Sequence, residues 1–206
     1  MADPELILYH NPKSRSSGAR VLLEALGVPH RIEPIDFASG QNRTPAFLAI
    51  NPLGKLPTLV HGGAVVTEQV AIVIYLADRF PAAGLAPAFD DPDRGPYLRW
   101  LAFYGACFEP AVVDHAFKRE PLQASTSPYG DYDTVIATVV AQLERGPYLL
   151  GERLTAADLH WGTALRWTTA FGIVPKHPAI MAYIDRVAAH PAVVRAAALD
   201  AEPEDA

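Results

Sequence analysis

The spacing of apolar positions changes character near residue 80. Ahead of that point, "ELILYH" (5–10) is a short apolar run with β propensity. "SSGARVLLEALG" (16–27) then carries Val21, Leu22, Ala25 and Leu26 at helical spacing and ends on Gly27, a residue suited to stopping a helix. "HRIEPIDF" (30–37) alternates enough to predict a second strand, and Pro34 makes that strand short or places it at an edge. "TPAFLAI" (44–50) predicts a helical turn or two. "PTLV" and "AVV" flank His61-Gly62-Gly63, a hairpin signal, and "TEQVAIVIYLADRF" (67–80) reads as a helix. This order packs a small mixed sheet against helices, because a strand–helix–strand unit prefers a right-handed parallel crossover.

After residue 80 the strand signals nearly vanish. "FPAAGLAPAFDDPDRGP" (80–96) is rich in Pro, Gly and Asp and has no steady period, so it reads as a linker. The runs 97–118, 132–144, 156–171 and 178–199 are apolar at helical spacing and predict a helical bundle. The expected division is an α/β domain over 1–80, a linker over 81–91 and an all-helical domain over 92–206. Thr155 and Asp158 form a capping box ahead of the 156–171 helix, a structural feature. The acidic tail "DAEPEDA" reads as frayed.

Composition narrows the function classes. The net charge of −6 and the lack of Lys/Arg runs argue against nucleic acid as a partner. Cys107 is the only cysteine, which excludes an internal disulfide and redox chemistry by a cysteine pair. "MADPELILYH" lacks the basic start and long apolar stretch of a signal peptide, and no stretch reaches membrane-spanning length, so no membrane partner and a cytoplasmic location are expected. His115, His160, His177 and His190 show no tight metal-ligand spacing, and no metal site is expected.

Two stretches carry candidate chemistry. In "NPLGKLPTLV" (51–60), Pro57 stands at the first position of a strand, where proline is tolerated. A cis Leu56–Pro57 bond there turns the backbone of Leu56 outward, and the residues alone leave cis and trans open. "HNPKSRSSGAR" (10–20) sets hydroxyls and cations immediately before a helix, where free amide donors point at an anion.

A small α/β unit joined by a proline-rich linker to a helical domain resembles the cytosolic glutathione transferase family. The resemblance spans nearly the whole chain and rests on three anchors in order: "NPLGKLPTLV", "TEQVAIVIYLADRF" and "YLLGERLTAADLHW" (148–161). It implies a thioredoxin-like N-terminal domain with a four-stranded mixed sheet, followed by an all-α bundle. It also implies that Leu56–Pro57 is cis and that the backbone of Leu56 pairs with the cysteinyl part of glutathione. The implied activity is addition of the glutathione thiolate to a hydrophobic electrophile in detoxification, by a homodimer with glutathione as co-substrate and no other cofactor. A zeta-like glutathione-dependent isomerase and a non-catalytic transferase-like binding protein are the alternatives.

An enzyme using glutathione must favour the thiolate, because free thiols titrate near ~8.5. In serine-type members the catalytic hydroxyl lies near the start of the first helix, which here means Ser14, with Ser16 second and Tyr9 third; Arg15 adds positive potential. Cysteine-type bacterial members carry their cysteine at the position of Arg15, and this chain departs from them. "YHNPKS" also resembles the start of thioredoxin-like arsenate reductases, but Ser14 replaces their cysteine. Glu68 is the candidate for the γ-glutamyl ammonium, and Gln69 with the following helix's amides for the neighbouring carboxylate. The glycyl carboxylate falls to Lys55, helped by Gln41, Asn42 or Arg43. Tyr104, Phe108 and His115 share one helix face, whose spacing favours core packing; because that helix lines the electrophile pocket in the family, Tyr104 and Phe108 are also the candidate electrophile contacts, and Cys107 reads as a buried helix residue.

Overall fold

A computed structural model of the chain describes residues 5–120, 122–123 and 125–201. Strand β1 (Leu6–His10) lies parallel to β2 (Arg31–Pro34) and antiparallel to β3 (Thr58–His61). Strand β4 (Ala64–Thr67) pairs antiparallel with β3, so the sheet order is β2-β1-β3-β4. This is the mixed thioredoxin-like sheet expected, with the proline-bearing β2 at an edge. Leu6, Leu8 and His10 turn one face of β1 inward, while Ile7 and Tyr9 are half-buried on the other. Helix α1 (Ser16–Leu26) ends at Gly27, whose φ of 65° suits a residue without Cβ. Helix α2 (Pro45–Ile50) is capped by Thr44, which accepts the Phe47 N–H, and α3 (Gln69–Arg79) follows β4.

The helical part begins with α4 (Arg94–Phe103), a π-helical turn (Tyr104–Phe108) and α5 (Glu109–Ala116). The single helix expected over 97–118 is thus interrupted just ahead of Pro110, which has no N–H for an i−4 partner. Helix α6 (Tyr132–Leu143) is capped by Asp131, and α7 (Ala156–Ala170) starts at the Thr155–Asp158 capping box. Trp161 on α7 is fully buried among Trp100, Phe103, Tyr104 and Phe108, and its Nε1–H donates to the Trp100 carbonyl at 3.0 Å. Helix α8 (Pro178–Ala188) lies so close to α7 that a Cβ on Gly162 would sit 2.5 Å from Val187 Cγ1.

The run 178–199 is also two helices. Pro191 opens α9 (Pro191–Ala201), because proline suits a first helical turn and ends the one before it. The described residues up to Ala83 and those from Pro191 onward make one compact unit, and Gly84–His190 makes the other. Helix α9 therefore packs on α1, not with the helices of 92–190 that precede it in the chain. Arg195 secures it there by donating to the carboxylate and carbonyl of Glu24 at 2.7 and 2.6 Å. Among the described residues no helix is long and apolar enough to cross a membrane.

Candidate functional site

Strand register gathers the candidate residues at one end of the sheet. Tyr9 pairs with Thr58, and Thr58 with Thr67, so the segments 11–15 and 51–57 and residue Glu68 leave the sheet side by side. Helices α1 and α3 begin here, presenting their positive ends. Gln69 Nε2 donates to the Arg15 carbonyl at 3.0 Å and ties the two helix starts together.

Asn11 shapes the first loop. Its side chain donates to the Ile35 carbonyl at 2.8 Å and accepts the Lys13 N–H at 2.9 Å. Ser14 returns to the Asn11 carbonyl through its N–H and its hydroxyl, at 3.0 and 2.8 Å. The helix N-cap position is Arg15, which makes no side-chain cap, and the first helical amide, Ser16 N–H, donates instead to Ser14 Oγ at 3.1 Å. Ser16 Oγ lies 2.7 Å from Ser14 Oγ, accepts the Asn11 N–H at 3.0 Å and lies 2.7 Å from His10 Nδ1. On the other side of the ring, His10 Nε2 is 3.1 Å from Asp200 Oδ1, which also receives Arg20 at 2.6 Å. Ser16 and His10 are buried, whereas Ser14 at one end of the group and Asp200 at the other are half-buried.

The 51–57 loop is held by Asn51, whose Nδ2 donates to the Lys55 carbonyl and to Thr58 Oγ1, both at 2.9 Å. Leu56–Pro57 is cis. Among the described residues, neither the N–H nor the carbonyl of Leu56 has a hydrogen-bond partner. Gly54 must stay small: its φ is 61°, and a Cβ would lie 2.7 Å from the Asn42 carbonyl. Glu68 is exposed and has φ 65° and ψ 123°, a strained conformation for a residue with a Cβ. Its carboxylate and the Lys55 ammonium have no partner among the described residues.

Other candidates take different places. Tyr9 points to the sheet face opposite His10, where it packs on Phe47 (centroids 5.5 Å) beside Leu56 and Ile35; strand alternation separates it from the serines. Asn42 donates to the Gly54 carbonyl at 2.9 Å, Arg43 to the Leu53 carbonyl at 3.2 Å, and Gln41 Oε1 accepts the Asp36 N–H, so all three brace loops. Tyr104 and Phe108 are 2% and 0% exposed in the aromatic cluster around Trp161. They are core, without the exposed surface that the expected electrophile contacts require; the reason is that their helical spacing is the inward face of the turn. Cys107 beside them is half-buried, not buried as expected.

His10 and Asp200 are the residues that sequence reasoning missed. His10 holds the third inward position of β1, a signal readable from the alternation of Leu6 and Leu8. Asp200 falls in the stretch expected to fray; it lies on α9 and is paired, while 202–206 lie outside the described residues.

Comparison with known proteins assigns this architecture. The family model described as glutathione S-transferase, N-terminal domain, matches residues 4–78, and that of the C-terminal domain matches 111–191. A glutathione S-transferase of Xanthomonas campestris pv. campestris is 30% identical over 174 residues, covering 81% of this chain and 84% of the relative. The chain belongs to the glutathione S-transferase family. A solved glutathione transferase from Methylococcus capsulatus str. Bath superposes with a TM-score of 0.79 at 31% identity, over 95% of this chain and 98% of that one. A sphingomonad glutathione S-transferase, solved in complex with glutathione, gives 0.79 at 29% identity over 96% and 100%. As a glutathione transferase, the chain carries Ser14 in the loop ahead of α1, Ser16 at the first position of α1, and no cysteine at either place.

Proposed function

We propose that this glutathione transferase binds glutathione at the sheet end formed by 11–15, 51–57 and Glu68, and activates its thiol at Ser14. The observation that carries the assignment to Ser14 is the difference in access: Ser16 is 0% exposed, whereas Ser14 is half-buried, and its hydroxyl turns from the Asn11 carbonyl to meet a ligand. Lowering a thiol pKa by ~2 units takes ~2.7 kcal/mol, within reach of a hydroxyl donor plus the positive start of α1. The Leu56 N–H and carbonyl pair with the cysteinyl backbone, and the Glu68 carboxylate meets the γ-glutamyl ammonium. The amides at the start of α3 take the neighbouring carboxylate, with the Gln69 side chain already committed to Arg15. Lys55 takes the glycyl carboxylate.

The thiolate attacks a small hydrophobic electrophile, a detoxifying reaction carried out in the cytoplasm by a homodimer; light scattering tests the assembly. Neither the isomerase nor the non-catalytic alternative is favoured by the relatives. Ser14→Ala tests the assignment. The bound thiol should titrate at higher pH, and kcat at neutral pH should fall ~10- to 1000-fold with little change in KM for glutathione. An unchanged titration of the bound thiol refutes Ser14 as the activating group.

A further inference from the structure

Ser14, Ser16, His10 and Asp200 form an unbroken chain of hydrogen bonds: 2.7 Å between the serine oxygens, 2.7 Å from Ser16 Oγ to His10 Nδ1, and 3.1 Å from His10 Nε2 to Asp200 Oδ1. Its inner members are closed to a ligand, because Ser16 is 0% and His10 2% exposed, while Ser14 and Asp200 at its two ends are half-buried. A carboxylate only accepts, so His10 Nε2 carries a hydrogen toward Asp200. The Asn11 carbonyl is a side acceptor for both hydroxyls, at 2.8 Å from Ser14 Oγ and 3.2 Å from Ser16 Oγ; when they turn from it toward each other, the chain has two polarities.

With a neutral imidazole, Nδ1 is an acceptor. Ser16 gives its hydrogen to Nδ1 and accepts from the Asn11 N–H and from Ser14. Ser14 accepts the Ser16 N–H, turns its own hydrogen inward and shows a lone pair outward. With an imidazolium, Nδ1–H donates to Ser16, Ser16 donates to Ser14, and the Ser14 hydrogen turns outward. Both settings satisfy the two hydroxyls once a ligand sulfur meets the outer side of Ser14, and the Asn11 carbonyl keeps the Ser14 N–H as its donor. The first receives an S–H, and the second stabilises a thiolate.

We propose that His10, oriented by Asp200, takes up the proton of the glutathione thiol through Ser16 and Ser14. This deepens the reading of Ser14 as the thiol-activating group and rests on it. The S–H bond breaks with its electron pair left on sulfur, and a new O–H forms at Ser14 Oγ. The hydrogen of Ser14 passes to Ser16 Oγ, that of Ser16 passes to His10 Nδ1, and no group is oxidised or reduced. After the sulfur attacks the electrophile, the same chain returns the proton to the leaving group or adduct. His10 and Asp200 are positioning residues, since Ser14 alone meets the substrate. Among the described residues, the charged groups at His10 are Asp200 from α9, which it meets directly, and Arg20 from α1, which pins that carboxylate at 2.6 Å; its neighbour on β2 is Pro34.

The test uses the full chain and glutathione at neutral pH. Thiolate absorbance reports ionisation, and calorimetry in two buffers of different ionisation heat counts the protons released. The relay keeps the proton inside the protein, so thiolate should form with far less than one proton released for each thiolate. His10→Asn should move the titration of the bound thiol to higher pH and lower kcat at neutral pH by about 10- to 100-fold, with KM for glutathione nearly unchanged. Asp200→Asn should act in the same direction more weakly, and it decides the matter if His10→Asn does not fold. Release of one proton per thiolate, or a wild-type pH profile in the variant that folds, overturns the relay while leaving Ser14 in place. Intact thiolate formation in Ser14→Ala removes the Ser14 reading, and the relay with it.

Discussion

Asp158 in the helical unit and Asp200 on α9 each anchor a polar cluster, and the clusters end differently. Asp158 is fully buried and accepts the N–H groups of Leu149 and Thr155, both at 2.8 Å, with the hydroxyls of Thr155 at 2.9 Å and Tyr183 at 3.0 Å. Burial raises its pKa, and these hydrogen bonds oppose the rise. Every donor in that cluster is a protein group, so the network closes on itself and does nothing but hold α7, α8 and the 148–155 turn together. The Asp200 cluster starts the same way, with Arg20 and His10, but ends at the half-buried hydroxyl of Ser14. A closed network fixes a fold; an open end admits a ligand.

The largest expected effect follows from closing one network and not the other. Asp158→Ala orphans three buried donors, each worth ~1–3 kcal/mol when left unsatisfied, and leaves the Tyr183 hydroxyl only the residue-158 carbonyl at 3.3 Å, so a loss of about 4 kcal/mol is expected. Chemical denaturation measures it. The fraction that remains folded should keep its kcat, because the substitution touches nothing at the sheet end. A loss below ~1 kcal/mol would mean that Asp158 is not the anchor its partners suggest.

These two clusters were unequally legible in the sequence. The Thr155–Asp158 box is four residues long, and its chemistry is local, so the pattern alone identified it. The strands and α1 with its Gly27 stop were legible for the same reason, since each is a short-range rule, whereas the cis Leu56–Pro57 bond was open to the residues alone and was implied only by the family resemblance. The His10–Asp200 link joins positions 190 residues apart, and no periodicity connects them. It also depends on α9 leaving the helical run at Pro191 to pack on α1, whereas the apolar spacing on either side reads as one continuous helix. The helical spacing of Tyr104 and Phe108 by itself favours core packing, which their burial matches; the contact role came from the family resemblance and not from the spacing.

Buried histidines sharpen the same contrast. His10 has a partner on each ring nitrogen, whereas His160 is completely buried against Tyr104 (centroids 4.1 Å) with Nε2 unpartnered. Desolvation lowers the His160 pKa to about 4. Between pH ~6.5 and ~4 the unfolded chain therefore binds a proton that the native chain does not, and stability falls as pH falls through this window. About 2.5 units at ~1.4 kcal/mol each gives a contribution of ~3 kcal/mol, present above pH ~6.5 and lost on approaching pH 4. His160→Leu should remove this part of the acid sensitivity. Equal slopes of stability against pH for both proteins between pH 7 and 4.5 would refute it.

The smallest effect separates strain from recognition at the open end. Glu68 holds φ 65° and ψ 123° directly ahead of α3, and among the described residues its carboxylate makes no hydrogen bond or ion pair that explains the cost. Such backbone strain costs ~1–3 kcal/mol and is kept where a ligand benefits from it. Replacing Glu68 by alanine removes the charge and retains the Cβ; replacing it by glycine removes both. In an ordinary helix-flanking position glycine is the less stable choice. Here the order should invert, with Glu68→Gly about 1 kcal/mol more stable than Glu68→Ala. Both variants should lose glutathione affinity alike, by roughly 10- to 100-fold, because a charge-assisted partner worth ~1.5–3 kcal/mol has gone from each. Calorimetry and denaturation together separate the two contributions. If alanine proves the more stable, the backbone at Glu68 is not strained in solution. If affinity survives in both, the carboxylate only complements the start of α3, and the ammonium of glutathione is bound elsewhere.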